Sequence, residues 1–179
     1  MQINIPSLND ILTKTYYTEP NPNKDDINFY SIDFNDDTKT TGELHWSYSF
    51  NYGKMNRVEF TRKDNKFILF TSSVQNGQIL EKLINKMCGT SVSTTLLKLD
   101  KNFSQTFLVN SNNINKDARV ESLNQFGLSV FYNHNNNQNV MKIFTNGLVT
   151  FNMTNETTLI KKVIDIVIDI LEESYSHVE

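Results

Sequence analysis

Short runs of alternating apolar and polar residues, broken by polar turns, occupy two separate stretches of the chain in the same order. The first stretch reads Ser47–Tyr52, a turn at Gly53, Arg57–Phe60, a polar turn and Lys66–Thr71, then an apolar helical run from Ile79 to Met87. The second reads Leu128–Tyr132, an Asn-rich turn, Val140–Phe144, a turn at Asn146-Gly147 and Leu148–Met153, then a helical run from Glu156 to Tyr175. Period-two alternation between turn signals predicts strands, and spacings of three and four predict helices. The duplicated order predicts an α+β fold of two pseudo-symmetric repeats, residues 1–90 and 91–179. Together these would form a saddle of antiparallel sheet with the helices on one face. Each repeat would then bury one sheet face under its helix and leave the other for a partner.

The C-terminal helix is the most legible element. Asn155 is the expected N-cap, with Glu156 at the positive end of the helix dipole. Apolar residues recur from Leu159 to Leu171, with Lys161, Lys162, Asp165, Asp169, Glu172 and Glu173 on the polar side. Its many β-branched residues lower the intrinsic helix propensity, so packing on a sheet must hold it. Ile143, Val149, Phe151, Ile160, Val163, Ile164 and Val167 are expected to share one core. Elsewhere, Ser7 could cap a short helix, Pro20–Asn23 breaks the chain, and Ile27–Phe34 alternates as a strand. Val92–Asp100 and Phe103–Asn110 are further strand candidates, and Ser111–Arg119 reads as a polar loop.

Composition adds a division of charge. The net charge is −3, which gives no general attraction to nucleic acid. Yet residues 53–102 hold nine Lys or Arg against four acids, while residues 24–43 and 156–179 each hold two Lys against six. The single Cys88 cannot close an intrachain disulfide, which fits a reducing compartment. A small residue closing a helix before Gly89 accounts for it better than a nucleophile does. Neither a signal peptide nor a membrane span is expected, because the apolar runs are interrupted by polar residues or acids. The expectation is an intracellular, non-secreted protein.

The hairpin around Asn146-Gly147 carries the candidate chemistry. Strand parity sends Met141 and Ile143 to one face and Lys142 and Phe144 to the other, with Thr150 and Asn152 on the same side as Lys142. A Phe beside a turn on a polar face is out of pattern, although for an isolated Phe the ordinary account is an aromatic folded onto its own hairpin. Gly127-Leu128-Ser129-Val130-Phe131-Tyr132, followed by Val140-Met141-Lys142-Ile143-Phe144-Thr145-Asn146-Gly147-Leu148-Val149-Thr150, resembles the second-repeat core of the TATA-binding protein family. The resemblance spans about Leu123 to Leu171 and is only topological over Trp46 to Met87. It implies that Phe126 and Phe144 wedge between base steps in the minor groove and kink the duplex. It implies groove contacts for Thr150, Asn152 and Lys142, and makes Phe60 the strand-end aromatic of the first repeat. The sequence departs from the family's pattern at Glu59, Lys142 and Asn152-Met153. Lys54, Arg57, Arg62, Lys63 and Lys66 would supply phosphate contacts. An Asn- and Lys-rich chain of this kind suits an AT-rich genome, such as a viral one.

Other chemistries find little support. His45, His134 and His177 are far apart and none has metal-ligand spacing to a Cys or carboxylate. Asp25-Asp26 and Asp36-Asp37 read as solvated turn acids rather than a divalent-cation loop. There is no GxxxxGKS, GxGxxG or GxSxG pattern, so no enzyme, cofactor, catalytic residue, metal or small-molecule substrate is expected. Three functions compete. The leading one is a divergent TATA-binding-like transcription factor that binds and bends A·T-rich double-stranded DNA. Its site of action would be the nucleus, or a site of viral transcription. The second is a protein–protein module of a transcription assembly, with general transcription factors or RNA polymerase as partners, that kept the fold and lost DNA binding. The third is a ligand-holding sheet with a long C-terminal helix, which leaves the duplication unexplained.

Overall fold

The computed structural model describes residues 1–19, 29–48, 54–99, 118–152 and 154–176. The chain is α+β, its sheets are wholly antiparallel, and it divides into two units, Met1–Leu96 and Leu97–Glu179. The division falls between Leu96 and Leu97. Among the described residues, no helix is long and apolar enough to cross a membrane.

The first unit orders its elements as β1 (Gln2–Ile3), α1 (Leu8–Ile11), β2 (Thr15–Tyr17), β3 (Phe29–Phe34), β4 (Thr41–Ser47), β5 (Asn56–Lys63), β6 (Lys66–Leu69), α2 (Asn76–Cys88) and β7 (Thr94–Thr95). Its sheet runs β2-β3-β4-β5-β6-β1-β7. Alternation does the sorting. Tyr30, Ile32 and Phe34 of β3, Leu44 and Trp46 of β4, Val58 and Phe60 of β5 and Phe67 of β6 turn inward. There they meet Ile79, Leu80, Leu83 and Ile84 of α2. Those helix residues lie one, three and four apart, so a single stripe faces the sheet. Gly89, in the left-handed region at φ 66°, ends the helix and its N–H donates to the Lys86 carbonyl.

The second unit orders β8 (Ala118–Asn124), β9 (Gly127–His134), β10 (Asn137–Phe144), β11 (Val149–Phe151) and α3 (Thr157–Ser176). Its sheet is a simple meander, β11-β10-β9-β8. Leu128, Val130, Tyr132, Met141 and Ile143 are buried against Leu159, Val163, Ile166, Val167, Ile170 and Leu171 of α3, with Leu99 in the same cluster. Of the expected core, Val149 and Phe151 are half-buried against it. Ile160 is half-buried and lies outside that cluster, as does the buried Ile164.

An antiparallel meander followed by a helix therefore recurs, as β3-β4-β5-β6-α2 and as β8-β9-β10-β11-α3. Several details depart from expectation. A strand spans Thr41–Ser47, where Gly42, Leu44 and Trp46 continue the inward alternation, and residues 49–52 of the strand expected at Ser47–Tyr52 lie outside the described residues. The strand expected over Val92–Asp100 is confined to Thr94–Thr95. Arg119, expected in a loop, lies in β8. Glu156, not Asn155, takes the cap position of α3: its carbonyl accepts from the Ile160 N–H at 3.0 Å and its carboxylate accepts from the Thr158 hydroxyl at 2.9 Å. Ser7 precedes α1 in the left-handed region, without a side-chain cap bond. The turn at Gly53, the break at Pro20–Asn23, the strand expected over Phe103–Asn110, and Asp25-Asp26, Met153 and His177 lie outside the described residues.

Candidate nucleic-acid interface

The outward face of the second unit's sheet follows from its register. Arg119 pairs with Phe131, and Phe131 with Val140, so these three form one row across the strands. The next row is Ser122, Ser129, Lys142 and Thr150. The last is Asn124, Gly127 and Phe144. The Arg119 guanidinium stacks 5.7 Å from the centre of the Phe131 ring, a cation–π contact that fixes one end of the face. Lys142 and Thr150 are exposed in the middle, and exposed Asn152 follows β11 directly.

Two turns then bring the aromatic pair to one end of this sheet. The Thr145 N–H donates to the Phe126 carbonyl at 2.9 Å, which ties the β8–β9 turn to the β10–β11 turn. The Phe126 N–H donates to Asn124 Oδ1 at 2.9 Å, and the Gly147 N–H to the Phe144 carbonyl at 2.9 Å. Gly127 is required between them. Its φ is 155°, and a Cβ there would lie 2.2 Å from the Ile143 carbonyl oxygen. Phe126 is 64% exposed, the most exposed large apolar side chain among the described residues, while Phe144 is half-buried. The second unit thus gathers Phe126, Phe144, Lys142, Thr150 and Asn152 on or beside its open sheet face.

The first unit places its candidate residues differently. Phe60 is 1% exposed and packs between Phe34 and Phe67, each ring centre 5.4 Å away. It has no surface with which to touch a groove, which corrects its assignment as a strand-end contact. Arg62 is also turned inward and buried. Its Nη2 donates to Asn9 Oδ1 at 2.8 Å, while Nε and Nη1 have no protein partner, and burial lowers its pKa. A buried guanidinium cannot reach phosphate, so this assignment is corrected too. Lys63 is exposed, at the tight turn into β6 where it pairs with Lys66. Lys54 is exposed. Arg57 is held by carboxylates, with Nη2 2.5 Å from Glu43 Oε1 and 2.9 Å from Glu59 Oε1.

The open face of the first sheet is acidic for a structural reason. Thr15, Asp33, Glu43 and Glu59 stand in one cross-strand row, and Tyr17, Ser31, His45 and Arg57 in the next. His45 lies between two of the acids, with Nδ1 3.6 Å from Asp33 Oδ2 and Nε2 3.2 Å from Glu43 Oε2. Composition alone does not reveal this row, because the three acids are spread over 27 residues of sequence, Asp33 to Glu59. The signal that could have found it is parity: all three are odd-numbered and alternate with the inward residues of their strands. Asp36 stands apart in the β3–β4 turn. It accepts from the N–H and hydroxyl of both Thr40 and Thr41, and from the Thr38 hydroxyl, which holds its carboxyl far below the usual range. Among the described residues, no three His, Cys, Asp or Glu side chains are placed to share a metal ion.

No protein-family model, curated protein or solved structure matches this chain.

Proposed function

We propose that this chain is a divergent TATA-binding-protein-like DNA-binding protein that grips A·T-rich duplex in the minor groove through the open face of its second sheet. The observation that carries the reading is the exposed Phe126 beside Phe144, at the end of a face whose other rows carry Ser122, Ser129, Lys142 and Thr150, then Arg119, Phe131 and Val140. An apolar side chain held outward by two hydrogen-bonded turns gains nothing from the fold it stands on, and a base step offers it a stacking partner. Phe126 and Phe144 would unstack that step, while Thr150, Asn152 and Lys142 lie along the groove floor and edge. Unstacking costs a few kcal/mol, which the surface wrapped by the bent duplex offsets.

The finer fold that goes with this reading is the family's two-repeat saddle. Its support is the recurrence of meander and helix in the two units. The reading implies an intracellular, non-enzymatic protein working with transcription factors or RNA polymerase, in the nucleus or at a site of viral transcription. A second reading, a protein-interaction module that has lost DNA binding, is favoured by one observation: Asp33, Glu43 and Glu59 form an acidic row on the outward face of the first sheet, which disfavours phosphate there.

The test is binding and bending of an A·T-rich duplex against a G·C-rich control, titrated with salt. Phe126→Ala and Phe144→Ala should each weaken A·T-rich binding at least about tenfold and abolish bending, leaving the salt slope unchanged because phosphate contacts are untouched. A wild-type protein that binds neither duplex, or binds both alike without bending, would select the protein-interaction module.

A further inference from the structure

We propose that Asn146-Gly147 is a site of spontaneous deamidation, and that conversion of Asn146 to an acid slackens the turn that holds Phe126 and Phe144 together. The reaction needs a backbone nitrogen unhindered by its own residue's side chain, with the preceding carboxamide in reach. The chain has two Asn-Gly steps, Asn76-Gly77 and Asn146-Gly147. Asn76 is half-buried at the start of α2, and its Nδ2, the leaving group, donates to Thr71 Oγ1 at 2.8 Å. Helical side chains also lean toward the N-terminus, away from the nitrogen that follows. Asn146 is exposed in the β10–β11 turn, where its Oδ1 accepts from the Leu148 N–H at 3.0 Å. The ring closed by that bond contains both Asn146 Cγ and the Gly147 nitrogen, so the carboxamide is folded back over the atom that attacks it. The same N–H donates to the oxygen on which charge develops as nitrogen adds.

The Gly147 N–H donates to the Phe144 carbonyl at 2.9 Å, so reaction waits on the opening of one turn bond at the surface. The nitrogen then gives its proton to solvent and attacks Cγ. The N–Cγ bond forms, the Cγ–Nδ2 bond breaks, and Nδ2 leaves as ammonia with a proton taken back from solvent. Water opens the cyclic imide at either carbonyl, giving aspartate or isoaspartate, with no change of oxidation state. Both products place a carboxylate beside Phe144. Isoaspartate also adds a methylene to the backbone inside the turn closed by the Gly147-to-Phe144 and Phe144-to-Leu148 bonds. The neighbouring Thr145 N–H ties this turn to the Phe126 carbonyl, so the two rings lose their common seat. The effect on DNA rests on the duplex reading: the new charge repels phosphate and the loosened pair wedges poorly. The chemistry and the slackened turn do not depend on it.

The test is to age the full chain at physiological temperature, at neutral and mildly alkaline pH, and follow conversion by peptide mass mapping. Asn146 should convert at least about tenfold faster than Asn76, and faster still at the higher pH because the nitrogen attacks as its anion. In isotope-labelled protein, the Thr145 amide should exchange with solvent at least about tenfold faster after conversion than before. Asn146→Ser keeps an acceptor for the Leu148 N–H and cannot deamidate, so it should hold its Thr145 protection through the same incubation. Binding of A·T-rich duplex by the wild type should fall in step with conversion, while that of Asn146→Ser stays constant. Conversion of Asn146 no faster than that of Asn76, unchanged Thr145 exchange in converted protein, or undiminished duplex binding after full conversion would overturn the proposal. A fresh protein that binds no duplex, yet converts and slackens as described, overturns the duplex reading alone.

Discussion

The two units share an order of elements but present opposite faces, and a single step of strand parity accounts for much of the difference. In β5 the run Val58-Glu59-Phe60 puts Glu59 outward and Phe60 into the core. In β10 the run Met141-Lys142-Ile143-Phe144 gives the inward place to Ile143, so Phe144 turns outward. Both strands carry a Phe near their ends, but the pleat assigns one to stability and the other to the surface. Likeness of residue order between repeats therefore says less about function than the position of each residue relative to the pleat.

The largest effect that can break this comparison is in stability. Phe60→Ala removes a buried ring from the Phe34–Phe67 cluster and should cost about 3–5 kcal/mol in urea unfolding. Phe126→Ala removes an exposed ring and should stay within about 0.5 kcal/mol. Similar losses for both would mean that Phe126 is covered in solution, and the contrast between the units would collapse.

That parity was available in the sequence at Phe60. Glu59 cannot sit in a core, so its neighbour must, and the family likeness pointed the other way. The second unit was more legible because its strands alternate cleanly and its helix carries a long apolar stripe. Its first strand, β8, escaped notice because a register shift between Val120 and Ser122 interrupts the alternation that Ala118, Val120 and Leu123 would otherwise show. The place of β1 between β6 and β7 was also hidden: Gln2–Ile3 is too short for any periodicity, and its partners lie more than sixty residues away in sequence. Parity alone sends Phe144 to the outward face, whereas Phe126 enters the candidate pair only through the family resemblance. The acidic row needed the register of β3, β4 and β5, which no local pattern encodes.

A smaller effect separates the turns of the two units. Asp36 draws five donors into the β3–β4 turn and its folded pKa is depressed. A carboxylate of this kind stabilises the fold above its unfolded pKa, near 3.9. That contribution is lost as pH falls from there toward the folded value. Asp36→Asn, which keeps the shape but not the charge, should cost about 1–2 kcal/mol at neutral pH and make the protein less sensitive to acid. In the second unit Glu156 plays the corresponding part with His134, its carboxylate 2.6 Å from the imidazole Nε2 and its pKa lowered by that bond first. With 45% of its side chain open to solvent, it should contribute far less. An acid-unfolding midpoint unchanged by Asp36→Asn but moved by Glu156→Gln would reverse this ranking.

The smallest effect concerns a fault the units share. β4 and β9 are the second strands of their meanders, and each buries a large aromatic with an unanswered polar atom, Trp46 Nε1 and the Tyr132 hydroxyl. Both side chains are nearly inaccessible, at 5% and 1%. Burial alone raises the Tyr132 pKa, as expected for a phenol facing apolar neighbours rather than an acceptor. An unpaired buried hydroxyl lowers stability, whereas the ring beneath it fills the cluster that α3 closes. Tyr132→Phe keeps the ring and deletes the fault, so it should leave the fold unharmed or stabilise it by up to about 1 kcal/mol. Trp46 has no such remedy: no smaller side chain keeps its volume, and Trp46→Phe should lose packing while removing the orphan donor. A Tyr132→Phe protein that unfolds more readily than wild type would mean that the hydroxyl has a partner in solution. The two units would then differ at this position as well, with the core of the second closed by a polar contact that the first lacks.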